Sequence, residues 1–152
     1  MVDDTDKKIL TALRKDSDRA RNLIAKEAGL SEPNLSKRVK LLQHDKILKK
    51  FTVALDFDKL GFDTHSVTLI KMKEQGQDDA LIRKLTTINE AIEIYSLLGE
   101  WDLFVRWNGQ NPAEVMGRIN EIQKDPAIAG TIERTETLQL GQCLKRESGP
   151  SL

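Results

Sequence analysis

The chain has 152 residues, room for one medium domain or two small ones, and its 32 % charged and 39 % hydrophobic content is that of an ordered globular protein. No apolar run approaches the ~18 residues of a membrane span, and the opening MVDDTDKKIL lacks a signal-peptide core, so a cytoplasmic protein without membrane contact is expected. Cys143 is the only cysteine, which excludes an intramolecular disulfide and any cysteine-cluster metal site.

The formal net charge of zero hides an asymmetry. Residues 1–50 hold 13 Lys/Arg against 8 Asp/Glu, and residues 51–152 hold 11 against 16. A basic first third joined to an acidic remainder suggests two modules with different partners.

In the first module, Asp3 and Asp4 precede an amphipathic run with Ile9, Leu10 and Leu13 on one face. Early acids suit the helix dipole. Asp16-Ser17-Asp18 interrupts as turn and cap residues. A second helix is expected over Arg19 to Ala28, with Leu23, Ile24 and Ala28 inward, and Gly29 is its stop signal.

Ser31 is placed to cap a third helix, with Glu32 and Pro33 tolerated in its first turn. On a helical wheel Leu35, Val39 and Leu42 form the inward stripe, and Arg38 lies at its edge. Lys37 and Lys40 lie opposite, flanked by Asn34 and Ser36. Helix, Gly turn and capped helix is the shape of a helix-turn-helix. The third helix is either a solvated helix or a DNA-reading one. Lys and Arg contact phosphates, and Asn and Arg read base edges. Leu41 falls beside the polar face without a clear role.

Phe51, Val53, Leu55 and Phe57 alternate with polar or small residues, which predicts a linker strand: a wing, a tether or a dimer contact. Beyond it come a strand over Ser66–Lys73, a turn at Gly76–Asp79 and a helix over Ala80–Ile88. A strand over Ala91–Leu98, a Gly99–Asp102 turn and a strand over Leu103–Trp107 follow. Asn111 and Glu114 cap a helix from Pro112 with Val115, Met116, Ile119 and Ile122 inward. Asp125-Pro126 ends it, and a last strand covers Ile132–Leu140. The order βαββαβ is a ferredoxin-like split βαβ unit. Several strands are apolar on both sides, as in sheets buried on both faces, so a second subunit is expected on the face without helices.

The fold class is therefore α+β: an N-terminal helix-turn-helix (winged-helix-like) domain over 1–48, a linker strand over 49–62, a ferredoxin-like domain over 63–144 and a flexible tail over 145–152. No catalytic constellation appears, and no cofactor is implied.

The stretches DDTDKKILTAL, IAKEAGLS, SKRVKLL, GEWDLFV and IERTETLQL, spread from about Asp3 to Lys145, resemble the Lrp/AsnC family of feast/famine transcription regulators. The resemblance implies a regulator and not an enzyme, with an N-terminal DNA-binding domain and a C-terminal effector-binding domain often called RAM. It also implies dimers that assemble further, often into octamers, and control by a small molecule, often an amino acid. On this reading the partners are double-stranded DNA, an amino-acid effector and further copies of the chain. Ser31, Asn34, Ser36, Lys37, Arg38 and Lys40 are the candidate DNA contacts. Gly99, Glu100, Trp101 and Asp102 match the family's G-x-x-D loop, and Thr135 and Thr137 its T-x-T, so these six are the candidate effector contacts. Physically, Gly99 and Asp102 could equally be a tight turn, and the threonines good strand formers.

Two departures stand out. Lys46 occupies the place after the third helix where the family usually has Gly. Trp101 stands where Tyr or a smaller residue is common, and either narrows the pocket or replaces contacts of the effector. Two other readings remain beside the main one. Siroheme decarboxylases resemble this family, but His44 and His65 occupy unremarkable places for tetrapyrrole chemistry. A low-specificity architectural or amino-acid-sensing protein is the other.

Overall fold

In the computed structural model, residues 2–74, 76 and 79–145 are described. The chain forms two compact units, the first ending at Ala54 and the second covering Leu55–Leu144. Residues 146–152 of the expected tail, and Gln77 and Asp78 of the expected turn, lie outside the described residues.

The first unit holds α1 (Asp4–Lys15), α2 (Arg21–Glu27) and α3 (Glu32–His44). Asp3 opens α1 with a capping box: its carboxylate accepts from the Asp6 N–H at 2.8 Å, and the Asp6 carboxylate accepts from the Asp3 N–H at 3.1 Å. Both groups satisfy backbone donors that a helix start leaves without partners. The core is Ile9, Ala12, Ile24, Ala25, Ala28, Leu35, Val39 and Leu42. Burying each of the larger side chains among these contributes about 1.5–3 kcal/mol. Leu35, Val39 and Leu42 face inward as their spacing requires. Leu23 does not; it is 49 % exposed. On a seven-residue helix the buried arc passes through Ile24 and Ala25, and Leu23 lies outside it.

α2 and α3 end in the same way. The Leu30 N–H donates to the Ala25 carbonyl and the Gly29 N–H to that of Lys26. One helix later, the Ile47 N–H donates to the Leu42 carbonyl and the Lys46 N–H to that of Gln43. Both are Schellman closures, which place one residue in the left-handed region. Gly29 (φ +72°) takes it in the first, and Lys46 (φ +57°), alone among the described non-glycine residues, takes it in the second.

The expected linker strand is not formed. Residues 49–56 carry no regular structure, and a single 3-10 turn covers Asp58–Leu60. Alternation sorts side chains to two sides, but a strand also needs a partner for its backbone groups, and none pairs with this segment among the described residues. Phe51, Val53, Leu55 and Phe57 are all exposed. Within the first unit, α1, residues 16–18, Leu48 and residues 50–54 line a groove of about 650 Å³ with Leu10, Leu13, Leu48, Phe51 and Val53 in its apolar part.

The second unit holds β1 (Thr64–Met72), α4 (Asp79–Leu85), β2 (Ala91–Ser96), β3 (Leu103–Gly109), α5 (Pro112–Lys124) and β4 (Ile132–Gln139). All neighbours in the sheet are antiparallel, in the order β2-β3-β1-β4, the expected βαββαβ arrangement. Asn111 caps α5 by accepting from the Glu114 N–H at 2.9 Å. The Glu114 carboxylate accepts from Gln110 and so closes the box one residue early.

The core between sheet and helices is built on Ile70, Met72, Leu81, Leu85, Leu103, Val105, Trp107, Val115, Ile119 and Ile122. Met116, expected inward, is 44 % exposed, because the arc through Val115, Ile119 and Ile122 leaves it outside. The Trp107 indole N–H donates to the Thr68 hydroxyl at 2.9 Å, and that hydroxyl lies 3.0 Å from the Thr137 hydroxyl. A chain of polar groups thus crosses β3, β1 and β4 and meets the requirement that a buried donor be paired. The opposite face of the sheet carries Val67, Leu69, Tyr95, Phe104 and Leu138 at paired positions.

Candidate functional site

α3 begins after Ser31, which occupies the N-cap position. Its hydroxyl makes no capping bond, contrary to the expectation. Its carbonyl accepts the first helical bond, from the Leu35 N–H at 2.9 Å. Asn34, Lys37 and Lys40 are exposed, and no carboxylate lies within ion-pair distance of either lysine among the described residues. Ser36 is half-buried, and its hydroxyl accepts from Arg21 Nη1 at the long distance of 3.4 Å. Arg21, at the start of α2, received no role from the sequence; only this cross-helix contact reveals it.

Arg38 differs from the two lysines. Its Nη1 donates to Asp3 at 2.7 Å and to Asp6 at 2.8 Å, which ties α3 to the capped start of α1. The bond to Asp3, followed by that to Asp6, raises the guanidinium pKa further. The Asp3 carboxyl is held below its ordinary value, first by the Asp6 N–H and then by Arg38. The Arg38 charge is thus already matched within the chain. On the exposed side of α3, Lys37 and Lys40 carry ammonium groups with no carboxylate partner among the described residues, and Asn34 carries an exposed amide. Ammonium groups neutralise phosphates, and an amide can serve adenine N6/N7 with two bonds.

The loop between β2 and β3 is closed by the Leu97 N–H donating to the Asp102 carbonyl at 2.8 Å, with Gly99 at φ +137°. Asp102 faces inward along β1. Its N–H donates to the Ile70 carbonyl at 3.0 Å, and its carboxylate accepts from the Met72 N–H at 2.8 Å and pairs with Lys71 at 3.1 Å. The Met72 N–H is the main cause of its lowered pKa, with Lys71 second.

Glu100 and Trp101 come together on Arg134 of β4. The Glu100 carboxylate accepts from Arg134 Nη2, and the guanidinium carbon lies 4.5 Å from the Trp101 ring centroid, a cation–π contact. Thr135 and Thr137 stand on the core-facing side of β4, opposite Ile70 and Thr68. Each hydroxyl has a partner: Gln123 at 3.0 Å for Thr135 and Thr68 at 3.0 Å for Thr137. The six expected effector residues therefore form two groups, and Arg134, which the sequence reading did not single out, joins the first.

His44 is exposed and lies 3.0 Å from Asp45, and His65 Nε2 lies 2.7 Å from Asp58. No group of His, Cys, Asp or Glu among the described residues could hold a metal ion.

A helix-turn-helix with an acid-poor third helix, followed in the chain by a ferredoxin-like unit, defines a two-module DNA-binding regulator. Residues 2–43 match the AsnC-type helix-turn-helix domain. The HTH-type transcriptional regulator FL11 of Pyrococcus furiosus is 30 % identical over 131 residues, 86 % of each chain. The structure of Escherichia coli AsnC superposes with a TM-score of 0.86 at 24 % identity, over 97 % of both chains. A feast or famine regulatory protein from Mycobacterium tuberculosis, complexed with L-methionine, gives 0.87 at 18 % identity over all of both. The chain belongs to the Lrp/AsnC family of transcription regulators. No helix among the described residues is long and apolar enough to cross a membrane.

Proposed function

We propose that the protein is a non-enzymatic transcription regulator that binds double-stranded DNA through α3 and changes its assembly on binding an amino acid. The observation that carries the DNA reading is the division of cations on α3. Lys37 and Lys40 are exposed without carboxylate partners, while Arg38 is engaged by Asp3 and Asp6. Lys37 and Lys40 then anchor the backbone, with Ser31 and Ser36 as further phosphate contacts, and Asn34 reads a base edge. Arg38 acts through α1 by orienting the helix.

Assembly into a homodimer is supported by the apolar sheet face. Tyr95 and Leu138 are 56 % and 47 % exposed there, and Tyr95 and Phe104 make an edge-to-face pair. Arg106 Nε and Asn108 Oδ1, at β3 positions on the same face, are buried without partners. A second copy would cover the apolar groups and put two α3 helices at spaced half-sites. Octamers are the further assembly. An amino-acid effector is supported by the L-methionine complex of the mycobacterial structure and by the 99–102 loop.

The test is binding-site selection from random duplexes, with retention of the protein measured against salt. A palindromic motif and a steep salt dependence are expected. Recovery of random sequence would leave only a low-specificity architectural role. A thermal-shift screen of all amino acids tests the effector.

A further inference from the structure

Two ion pairs flank the 99–102 loop, and they differ in kind. Lys71–Asp102 is the held pair: its side chains are 24 % and 18 % exposed, and Asp102 also takes a backbone N–H. Arg134–Glu100 is the loose pair, with side chains 50 % and 70 % exposed. An ion pair so exposed shifts an equilibrium by a factor of only about two to five. Yet the guanidinium it involves is well presented. Its carbon lies 4.5 Å over the Trp101 ring, which holds it in place, while its Nη2 reaches Glu100. A guanidinium edge is a bidentate receptor for a planar carboxylate.

Resting on the effector reading above, we infer that Arg134 is the seat for the carboxylate of the amino-acid effector, and that Glu100 is an internal stand-in that the effector displaces. Three features of the loop agree. Glu100 and Arg134 are separated by 34 residues in sequence, so their pairing ties the tip of the loop to β4, and its loss frees Glu100 while Asp102 stays anchored on β1. Asp102 and Thr137 are held by part-buried bonds inside the chain, whereas the partner of Arg134 is held only by an exposed pair, and Arg134 is the cation of the group. Leu98, beside Gly99, is fully exposed, so release of Glu100 would move an apolar side chain at the surface and offer a route from binding to assembly. Trp101 then serves as the platform of the carboxylate site, not as a plug.

The experiment is isothermal titration of the full chain with each of the twenty L-amino acids, and with the α-amide of the tightest binder. Wild type, Glu100→Gln, Arg134→Ala and Arg134→Lys are compared. Glu100→Gln is expected to tighten binding about two- to fivefold by removing the competitor. Arg134→Ala should weaken it at least about tenfold, and Arg134→Lys should recover only part, because an ammonium lacks the fork. The amide should bind at least about tenfold more weakly than the acid to wild type and no differently from the acid to Arg134→Ala. Circular dichroism checks that each variant is folded. An amino acid that binds wild type and Arg134→Lys equally, or an amide that binds as well as its acid, overturns the role of Arg134 and leaves the effector reading standing. No binding by any amino acid to wild type or Glu100→Gln overturns both.

Discussion

The Arg38 guanidinium stands 2.8 Å from the Asp6 carboxylate, and Asp6 itself closes the α1 capping box three residues after Asp3. One carboxylate thus caps a helix and holds the edge of another. Arg38→Gln is expected to lower the melting temperature while leaving the salt slope of DNA binding unchanged. A slope reduced by about one would return Arg38 to the phosphate contacts.

Lys37→Ala is expected to do the opposite. It should weaken binding to all duplexes alike and reduce the salt slope by about one phosphate contact, without a change in melting temperature. Quantitative mobility shifts at several salt concentrations measure this. Unchanged affinity and slope would remove Lys37 from the interface.

Lys46→Gly should raise stability. A left-handed conformation costs a residue with a side chain about 1–2 kcal/mol, and glycine's extra freedom in the unfolded chain returns about 0.5–1. The net gain is about 0.5–1 kcal/mol, read as a higher urea midpoint with an unchanged m value. A lower midpoint would mean that the lysine makes a compensating contribution at the negative end of α3.

Thr68→Val leaves the Trp107 indole N–H buried without its acceptor, and should cost about 1–3 kcal/mol. Differential scanning calorimetry would show a drop of about 2–4 °C for each kcal/mol. An unaltered melting point would mean that water reaches the indole.

Among the described residues three carboxyls are held below their ordinary values: Asp3, chiefly by the Asp6 N–H; Asp102, chiefly by the Met72 N–H; and Glu90, chiefly by its own backbone N–H. A group whose folded pKa is depressed contributes stability above its unfolded value, about 4, and loses it as pH falls through the folded value. These groups therefore add no slope near neutrality and a falling melting temperature below about pH 4. Asp102→Asn should flatten part of that fall. A melting temperature that climbs from pH 5 to pH 3 would contradict the assignment.

What the sequence made legible was periodic. Leu35, Val39 and Leu42 repeat on the helical period, and the order of strands and helices in the second unit follows from alternation, caps and turns. Leu23 and Met116 were misplaced because a wheel marks an apolar arc but not its limits. The linker segment alternates as a strand does, but pairing needs a partner that a pattern cannot supply. The ion pairs of Arg38 were not legible because their partners lie 35 and 32 residues away, and Arg134 was passed over for the same reason. The puzzle of Lys46 resolves in the opposite sense: the backbone keeps the conformation suited to glycine, and the lysine tolerates it.

The chain's two tryptophans sit in unlike surroundings. Trp107 is sealed in the core with its indole bonded to Thr68, and Trp101 is half-exposed beneath a cation on a loop. A buried indole emits to the blue of a wet one, and a stacked guanidinium alters the second alone. The protein therefore carries two optical reporters that need no label: one follows whether the sheet is intact, the other whether the loop has let go of Arg134. Replacing either residue by phenylalanine would separate the two signals.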